Sequence, residues 1–266
     1  MKNAKQPGIV AGWDTISAAY QKRYRISADD LHFGPMCPPN SELTIIKDFR
    51  GRSVLEIGCG GGQNIIYCAR SGAGRCVGVD PSAAQLAFAR RLAAEHQVLV
   101  DFKQLSCEEV GNLKGTFDLV LSAYAMMYVE DLPKALKAVH ERLRPGGHLV
   151  LSVDHPFRLA GEWEEDGTFK VRDYFATGWQ TWDFDFPESR VRQKMHRYHR
   201  TVSDWVQALL RNGFSVTDMH EPLPSRRAIG LFGTRSKYAA ASRQNVFHHA
   251  NLRKIPGTLI LEAISQ

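Results

Sequence analysis

Two glycines, Gly58 and Gly60, directly follow an apolar segment in the first third of the chain. The residues before them predict a strand, and those from Gln63 onward predict a helix. Glycine lets a backbone turn approach a ligand closely, and the free N–H groups at the start of a helix attract anionic or nucleotide-like groups. Asp80 stands about 20 residues further on, where a carboxylate can accept hydrogen bonds from both hydroxyls of a ribose. The spacing predicts a nucleotide-like ligand.

Glu56 lies just before Gly58 and narrows the choice of ligand. In a dinucleotide site the glycine loop faces a pyrophosphate, which a neighbouring carboxylate would repel. A ligand with an ammonium group, such as the methionyl part of S-adenosylmethionine, is compatible with that carboxylate. Glu56 therefore favours S-adenosylmethionine over NAD or FAD, and a dinucleotide-dependent oxidoreductase stays as an alternative.

Two side chains are candidates for catalysis. His155 follows an apolar strand-like segment, and ligands of parallel sheets bind beyond the carboxyl ends of the strands. A base at that point would speed proton loss from a hydroxyl or amine acceptor by about 10²–10⁴-fold. The alternative is that His155 only hydrogen-bonds within its own loop. Tyr20 is the second candidate.

Histidine and cysteine spacing predicts neither a metal site nor disulfides. The histidine pairs at 196/199 and 248/249 come without a recognisable set of further ligands. The five cysteines are odd in number and form no C-x-x-C pair, which argues against a disulfide framework and a zinc ribbon. This pattern favours a reducing cytoplasm.

Composition limits the class of protein. The chain has 266 residues, of which 44% are hydrophobic and 23% charged, with a net charge of +6. This composition is typical of a globular protein with a sizeable core. No apolar run approaches the roughly 20 residues of a membrane span, and the amino terminus lacks the pattern of a secretory signal. We expect a soluble cytoplasmic protein, monomeric or homodimeric.

Short apolar segments alternate with amphipathic ones through the first part of the chain. This alternation predicts parallel βαβ units and an α/β, doubly wound sheet with helices on both faces. Two further closing strands make the sheet mostly parallel and seven-stranded. The predicted strands are 53–57, 75–79, 98–105, 117–121, 148–153, 214–219 and 258–264, and the predicted helices are 63–71, 82–93, 132–143 and 201–212.

We predict one domain over residues 1–266, with a core at 51–155. Residues 1–50 form an N-terminal cap in this prediction, and long connections that usually carry function lie at 156–200 and 222–256. The first connection is rich in aromatic residues. Between Pro222 and Pro256 there are seven basic residues and no acidic one.

Four motifs occur together between residues 54 and 153. They are Val54-Leu-Glu-Ile-Gly-Cys-Gly60, Gly78-Val-Asp-Pro-Ser82, Phe117-Asp-Leu-Val-Leu-Ser122 and Leu143-Arg-Pro-Gly-Gly-His-Leu-Val150. In this order the motifs resemble those of class I S-adenosylmethionine-dependent methyltransferases. The resemblance implies a Rossmann-like fold, S-adenosylmethionine as the cofactor and S-adenosylhomocysteine as the product.

The resemblance also implies which residues bind the cofactor. Asp80 corresponds to the ribose ligand, and Ser106 stands where similar enzymes often carry the aspartate that meets adenine. Residues 13–24 resemble the helix that small-molecule methyltransferases fold over the cofactor. The implied cofactor-binding residues are Glu56, Gly58, Gly60, Asn64, Asp80, Pro81, Ser106, Cys107, Glu108, Ser122, Ala123 and Tyr124.

The acceptor is predicted to be a small aromatic or apolar molecule. The segment after the fourth strand lacks the Asn/Asp-Pro-Pro-aromatic motif of enzymes that methylate the exocyclic amines of bases, so nucleic acid is not the expected partner. The basic segment keeps an RNA or protein methyltransferase as an alternative. The predicted substrate-binding residues are Trp13, Tyr24, Tyr128, Trp163, Trp179 and Arg226.

Overall fold

The computed structural model describes residues 8–225 and 248–266, and within them the chain alternates strands and helices over its core. The strands are β1 Ser53–Ile57, β2 Arg75–Val79, β3 Asp101–Lys103, β4 Phe117–Ala123, β5 Leu143–Asp154, β6 Gly161–Trp163, β7 Phe169–Val171, β8 Gly178–Phe186, β9 Val191–His199, β10 Phe214–His220 and β11 Thr258–Ser265. The helices are α1 Ile9–Tyr24, α2 Asn40–Leu43, α3 Gln63–Arg70, α4 Ala83–Glu95, α5 Leu132–His140, α6 Pro156–Leu159, α7 Val202–Arg211 and α8 His249–Leu252. Short 3₁₀ helices lie at Cys107–Asn112, Met126–Tyr128 and Pro187–Ser189.

Seven of these strands form one sheet in the order β10-β11-β5-β4-β1-β2-β3. Neighbouring strands from β5 to β3 pair in parallel, and β11 is antiparallel to both of its neighbours. The chain leaves β1 toward one edge of the sheet and passes to the other half at β4. The connections that follow β1 and β4 therefore run in opposite directions. Doubly wound sheets bind ligands beyond the carboxyl ends of the strands at such a point. The predicted mostly parallel, seven-stranded fold is confirmed.

The two faces of the sheet carry separate hydrophobic cores. Alternate residues of a strand point to opposite faces, so Leu55 of β1 packs with helices α5 and α7. Its neighbour Val54 packs with α3 and α4 on the other face. The sheet is covered by helices on both sides, and its carboxyl edge stays available for the site.

Two predicted boundaries are wrong. Helix α5 ends at His140, and Leu143, which the helical periodicity included, instead begins β5 opposite Phe117. Strand β3 covers only 101–103, and Leu99 is exposed beside it. In contrast, helix α7 begins where it is predicted to begin, and the Thr201 hydroxyl caps it by accepting the N–H of Asp204.

The connection after β5 forms α6 and two antiparallel hairpins, β6–β7 and β8–β9. The β8–β9 hairpin packs against α1 around Ile16, Phe186 and Met195, all of which are buried. Arg23 of α1 also donates from Nε and Nη2 to the two carboxylate oxygens of Glu188, at 2.8 and 2.7 Å. Helix α1 and this hairpin together form a roof over the carboxyl edge of the sheet.

Among the described residues, no helix is long and apolar enough to cross a membrane.

Candidate active site

The glycine loop joins β1 to α3 in a left-handed backbone conformation. Gly58 has a φ of +64°, and a Cβ at that position would lie 2.2 Å from the Cβ of Ala125. Gly60 has a φ of +52°, but no atom lies within 4 Å of its would-be Cβ. The first glycine is required by close packing, and the second leaves open space above the loop.

Asp80 connects the end of β2 to this loop. Its carboxylate accepts the backbone N–H of Gly60 at 2.9 Å and that of Ser82 at 2.8 Å. Burial raises the pKa of Asp80 to about 6, against the effect of these two hydrogen bonds. The loop and the carboxylate are therefore held in a fixed relation before any ligand binds.

Glu56 lies beneath the same loop and is buried. Its Oε2 accepts the N–H of Ile65 at 3.0 Å. Burial raises the pKa of Glu56 to about 8, and the nearby charge of Asp80 adds to this rise. A cationic group placed beside these two carboxyls would favour their ionised forms.

One cavity of about 1320 Å³ extends from the glycine loop to the roof. It lies over the carboxyl ends of β1, β2, β4 and β5. Among the predicted cofactor-binding residues, those that line it are Glu56, Gly58, Gly60, Asn64, Asp80, Pro81, Ser106, Cys107, Glu108, Ala123 and Tyr124.

Ser122 is the predicted cofactor residue that the structure does not bring to the cavity. It is 1% exposed, within β4, and its neighbour Ala123 lines the cavity instead. Successive side chains of a strand point to opposite faces. Of the three residues predicted at this strand end, Ala123 and Tyr124 line the cavity and Ser122 does not.

Two cavity-lining residues have local roles that the structure makes visible. Ser106 begins a 3₁₀ helix in a capping box, in which its N–H donates to Glu109 Oε2 at 2.8 Å. Asn64 holds the segment after α1, since its amide exchanges hydrogen bonds with the backbone N–H and carbonyl of His32. Asn64 thus ties the cap segment to the first turn of α3.

His155 does not line the cavity. Its ring is 3% exposed, Nδ1 accepts the N–H of Phe157 at 3.2 Å, and Nε2 lies 2.6 Å from Glu221 Oε1. Burial lowers the pKa of His155, although the contact with Glu221 acts in the opposite direction. His155 therefore caps α6, as in the alternative interpretation of the sequence, and the structure gives it no position from which to act as a base.

Tyr20 does line the cavity, in a wall of aromatic rings. Burial raises its pKa well above 10, so the phenol stays protonated and can donate a hydrogen bond, but it is a poor base. Its ring meets Trp13 edge-on at 5.3 Å between centroids, and Trp13 meets Tyr128 at 5.7 Å. Tyr24 continues the wall at 4.6 Å from Tyr20.

The hairpin supplies a tryptophan to this wall, but not the one predicted. Trp182 lines the cavity with its ring centroid 6.1 Å from that of Tyr128. The predicted Trp179 packs on Tyr198 instead, and the predicted Trp163 is buried against Phe169 in the β6–β7 hairpin. Neither of these two tryptophans lines the cavity.

The predicted Arg226, together with residues 226–247 of the basic segment, lies outside the described residues.

A buried group of charges at the far end of the cavity has no counterpart in the predicted site. Asp154 ends β5, Arg158 lies in α6, and Arg197 comes from β9; all three line the cavity. Asp154 is ion-paired to both arginines. No local motif signals this group, because β9 approaches β5 only through the fold of the hairpin.

His32 is another cavity-lining residue that the sequence did not single out. Burial lowers its pKa to about 4, so its ring is neutral at neutral pH. Among the described residues it is the one histidine on the cavity wall.

A family model described as "Methyltransferase domain" matches residues 35–219. The chain belongs to this methyltransferase family. The matched region includes the glycine loop, Asp80 and the β8–β9 hairpin, whereas α1, the other part of the roof, precedes it.

Similar proteins agree with this assignment. A solved structure of an S-adenosylmethionine dependent methyltransferase from Mesorhizobium loti is 25% identical, covers 84% of this chain and 95% of its own, and superposes with a TM-score of 0.65. An uncharacterized protein of Haemophilus influenzae is 24% identical over 79% of this chain and 84% of its own length. A ubiquinone biosynthesis O-methyltransferase of Pseudomonas aeruginosa is 37% identical, but the match spans 39% of this chain and 44% of that protein. The prediction of an S-adenosylmethionine-dependent methyltransferase is confirmed.

Proposed function

We propose that the protein transfers the methyl group of S-adenosylmethionine to a small acceptor with a flat or apolar body. The observation that carries the proposal is the single cavity that joins the glycine loop to the aromatic wall. Pockets for one drug-sized ligand measure roughly 300–1,000 Å³. A cavity of about 1320 Å³ therefore has room for a cofactor and an acceptor side by side.

The residues at the loop end fit S-adenosylmethionine. Asp80 presents a carboxylate for the ribose diol, and the open space above Gly60 admits a ligand close to the backbone. Glu56 supplies a second carboxyl group on the side where an ammonium would lie. When bound, the cofactor supplies a methyl group on a sulfonium, which is already activated toward a nucleophile. The chain then has to hold an acceptor in line with that group, which is catalysis by proximity and orientation.

The aromatic wall orients the acceptor and excludes water in this proposal. Trp13, Tyr128 and Trp182 offer ring faces and edges at the roof. Tyr20 and Tyr128 stay protonated, because burial raises the pKa of both phenols. Each can donate a hydrogen bond to an acceptor oxygen or nitrogen without removing its proton.

The roof supports a small acceptor over an RNA or a protein. An extended polymer needs an open cleft, whereas α1 and the β8–β9 hairpin cover the carboxyl edge of the sheet. The ubiquinone biosynthesis O-methyltransferase similarity also supports a small molecule, although it spans less than half of either protein. We further propose that residues 1–266 act as one domain, with the cap at 1–50, the cofactor core at 51–155 and substrate-side insertions at 156–200 and 222–256.

Calorimetric titration tests the cofactor end first. We expect S-adenosylmethionine and S-adenosylhomocysteine to bind the purified protein, and NAD not to bind. Asp80→Ala should weaken the binding of S-adenosylhomocysteine by more than about tenfold, because a hydrogen bond to a charged group is worth roughly 1.5–3 kcal/mol. Asp101→Ala, which changes an exposed carboxylate on β3, is the matched control and should leave the affinity unchanged. Binding of NAD alone would contradict the proposal.

Acceptors are then found by the release of S-adenosylhomocysteine. Small aromatic compounds and a total RNA preparation are assayed in parallel with the same enzyme. Turnover with a small compound supports the proposed acceptor class. Turnover with RNA alone, at a rate that falls steeply with salt, would replace it.

A further inference from the structure

The charged group at the far end of the cavity has more positive than negative charge. Asp154 Oδ2 lies 3.0 Å from Arg197 Nη1, and Asp154 Oδ1 is ion-paired to Arg158. The group therefore holds two guanidinium ions and one carboxylate. The aromatic groups beside it, Tyr124 and Tyr128, are kept neutral because burial raises the pKa of each phenol.

These charges are removed from bulk water. The side chains of Asp154 and Arg158 are 5% and 2% exposed, and that of Arg197 is 19% exposed on the cavity wall. Burial lowers the pKa of Arg197 to about 10, which still leaves it charged at neutral pH. A buried charge without a partner is costly. One positive charge of this group is left for a ligand to balance.

The other acidic groups of the cavity do not balance it. Glu56 and Asp80 lie at the glycine-loop end, where they serve the cofactor in the proposed function. Two glutamates line the cavity from the 3₁₀ helix Cys107–Asn112, and Asp185 is exposed on β8; none of them is ion-paired to Arg158 or Arg197. On the hairpin rim, Asp183 is already paired with Arg192 at 3.1 Å.

Arg197 is the member of the group that faces the cavity with an available donor. Its Nη1 donates to Asp154, and its Nε lies 3.5 Å from Gln180 Oε1. Over residues 8–225 and 248–266, its Nη2 has no hydrogen-bond partner. The guanidinium also lies 4.9 Å from the ring centroid of Trp182. A planar donor fork beside an indole ring suits an anion attached to a flat body.

We propose that the methyl acceptor carries a carboxylate, which Arg197 binds while Trp182 packs on the body of the molecule. Arg158 and Asp154 are positioning residues that hold the Arg197 guanidinium in place. A carboxylate fits better than a phosphate monoester because its single charge equals the excess charge of the group, whereas the phosphate carries up to two. This inference rests on the proposed function, since it gives that cavity its second ligand.

The test compares three small probes against the protein saturated with S-adenosylhomocysteine. They share one ring and differ in charge: benzoate, benzamide and phenyl phosphate. We expect benzoate to bind at least tenfold more tightly than benzamide and more tightly than phenyl phosphate. Equal binding of benzoate and benzamide, tighter binding of phenyl phosphate, or no binding of benzoate at millimolar concentration would overturn the inference.

Variants of one strand provide the matched comparison. Arg197→Gln should weaken benzoate binding at least tenfold and leave benzamide binding unchanged, because Asp154 keeps Arg158 as its partner. Arg197→Lys keeps the charge and should lose less benzoate affinity than the glutamine variant. Lys194→Gln, at an exposed position of the same strand that does not line the cavity, should change benzoate binding less than twofold. Unchanged benzoate binding in Arg197→Gln would overturn the inference.

The S-adenosylhomocysteine titration separates the two proposals. If it binds the wild type and Arg197→Gln equally well, the variant is folded and the benzoate result bears on the anion site alone. If it does not bind the wild type, the proposed function itself fails.

Discussion

The two ends of the cavity are built in different ways. At the loop end, backbone N–H groups hold two carboxyls, and the donors lie in the glycine loop, the first turn of α3 and the turn after β2. At the roof end, side chains of α1, α6 and the β8–β9 hairpin bring rings and guanidinium groups together. One end is acidic and defined by main chain, and the other is basic, aromatic and defined by side chains.

In physical terms, this difference separates the binding of the cofactor from the choice of an acceptor. At the loop end a side chain added at Gly58 would move the chain itself, because its Cβ would clash with Ala125. A site made of side chains on a hairpin can change its chemistry one residue at a time. Because the two ends carry opposite charges, a cationic group binds preferentially at the loop end and an anionic group at the roof end.

The largest effect should come from Gly58→Ala at the backbone-built end. The new Cβ would meet the Cβ of Ala125 at 2.2 Å in a left-handed conformation, so the loop must shift. We expect S-adenosylhomocysteine binding to fall by at least about 100-fold. Gly51→Ala is the control: its φ is +70° with no atom within 4 Å, so it should cost roughly 1–2 kcal/mol of stability and leave binding intact. Equal binding losses in both variants would show that lost stability, and not the contact with Ala125, weakens binding.

An intermediate effect should come from Glu56→Gln, and it depends on pH. The usual pKa of a glutamate is 4.5, and burial raises that of Glu56 to about 8. Because the folded value is the higher one, its favourable contribution to stability is complete below about pH 4.5 and is lost as the pH rises through about 8. Without cofactor, the glutamine variant should therefore melt about 5 °C above the wild type at pH 9 and at nearly the same temperature at pH 4.5.

Melting curves from pH 4.5 to 9 measure this difference. Glu95→Gln, which changes an exposed residue at the end of α4, serves as the control and should follow the wild type throughout. A constant difference between Glu56→Gln and the wild type across this range would contradict the raised pKa.

The smallest effect should come from His155→Ala, next to the roof end but outside it. The variant removes a cap of α6, which is worth about 1 kcal/mol, so Tm should fall by about 2–4 °C. Neither S-adenosylhomocysteine nor benzoate affinity should change. His155→Asn retains a capping group and should recover most of the Tm. A loss of turnover with unchanged Tm would instead return His155 to the catalytic residues.

The sequence predicted the loop end far better than the roof end. Gly58, Gly60 and Asp80 directly follow the adjacent strands β1 and β2, so a short sequence motif is enough to predict that they lie together. Ser122 was placed at the correct strand end but faces away from the cavity, because successive residues of a strand point to opposite faces. His155 follows β5 as predicted, but its ring caps α6.

The roof end could not be predicted in the same way. Trp179 and Trp182 lie in the same aromatic-rich segment, so composition does not distinguish them. The pairing of β8 with β9 decides which of the two faces the cavity. Arg197 comes near Asp154 through the packing of the hairpin, which no periodicity in the sequence reveals. The helix limit at Leu143 was also wrong, since its pairing with Phe117 outweighed its helical spacing.

The contact between Arg23 and Glu188 joins residues that are 165 positions apart. Contacts between such distant parts of a chain form late, because the entropy of closing the loop must be overcome first. During synthesis α1 is made long before the hairpin that covers its apolar face. We therefore expect the β-sheet to refold before α1 is protected from hydrogen exchange, so that the enzyme acquires its cavity in the final stage of folding.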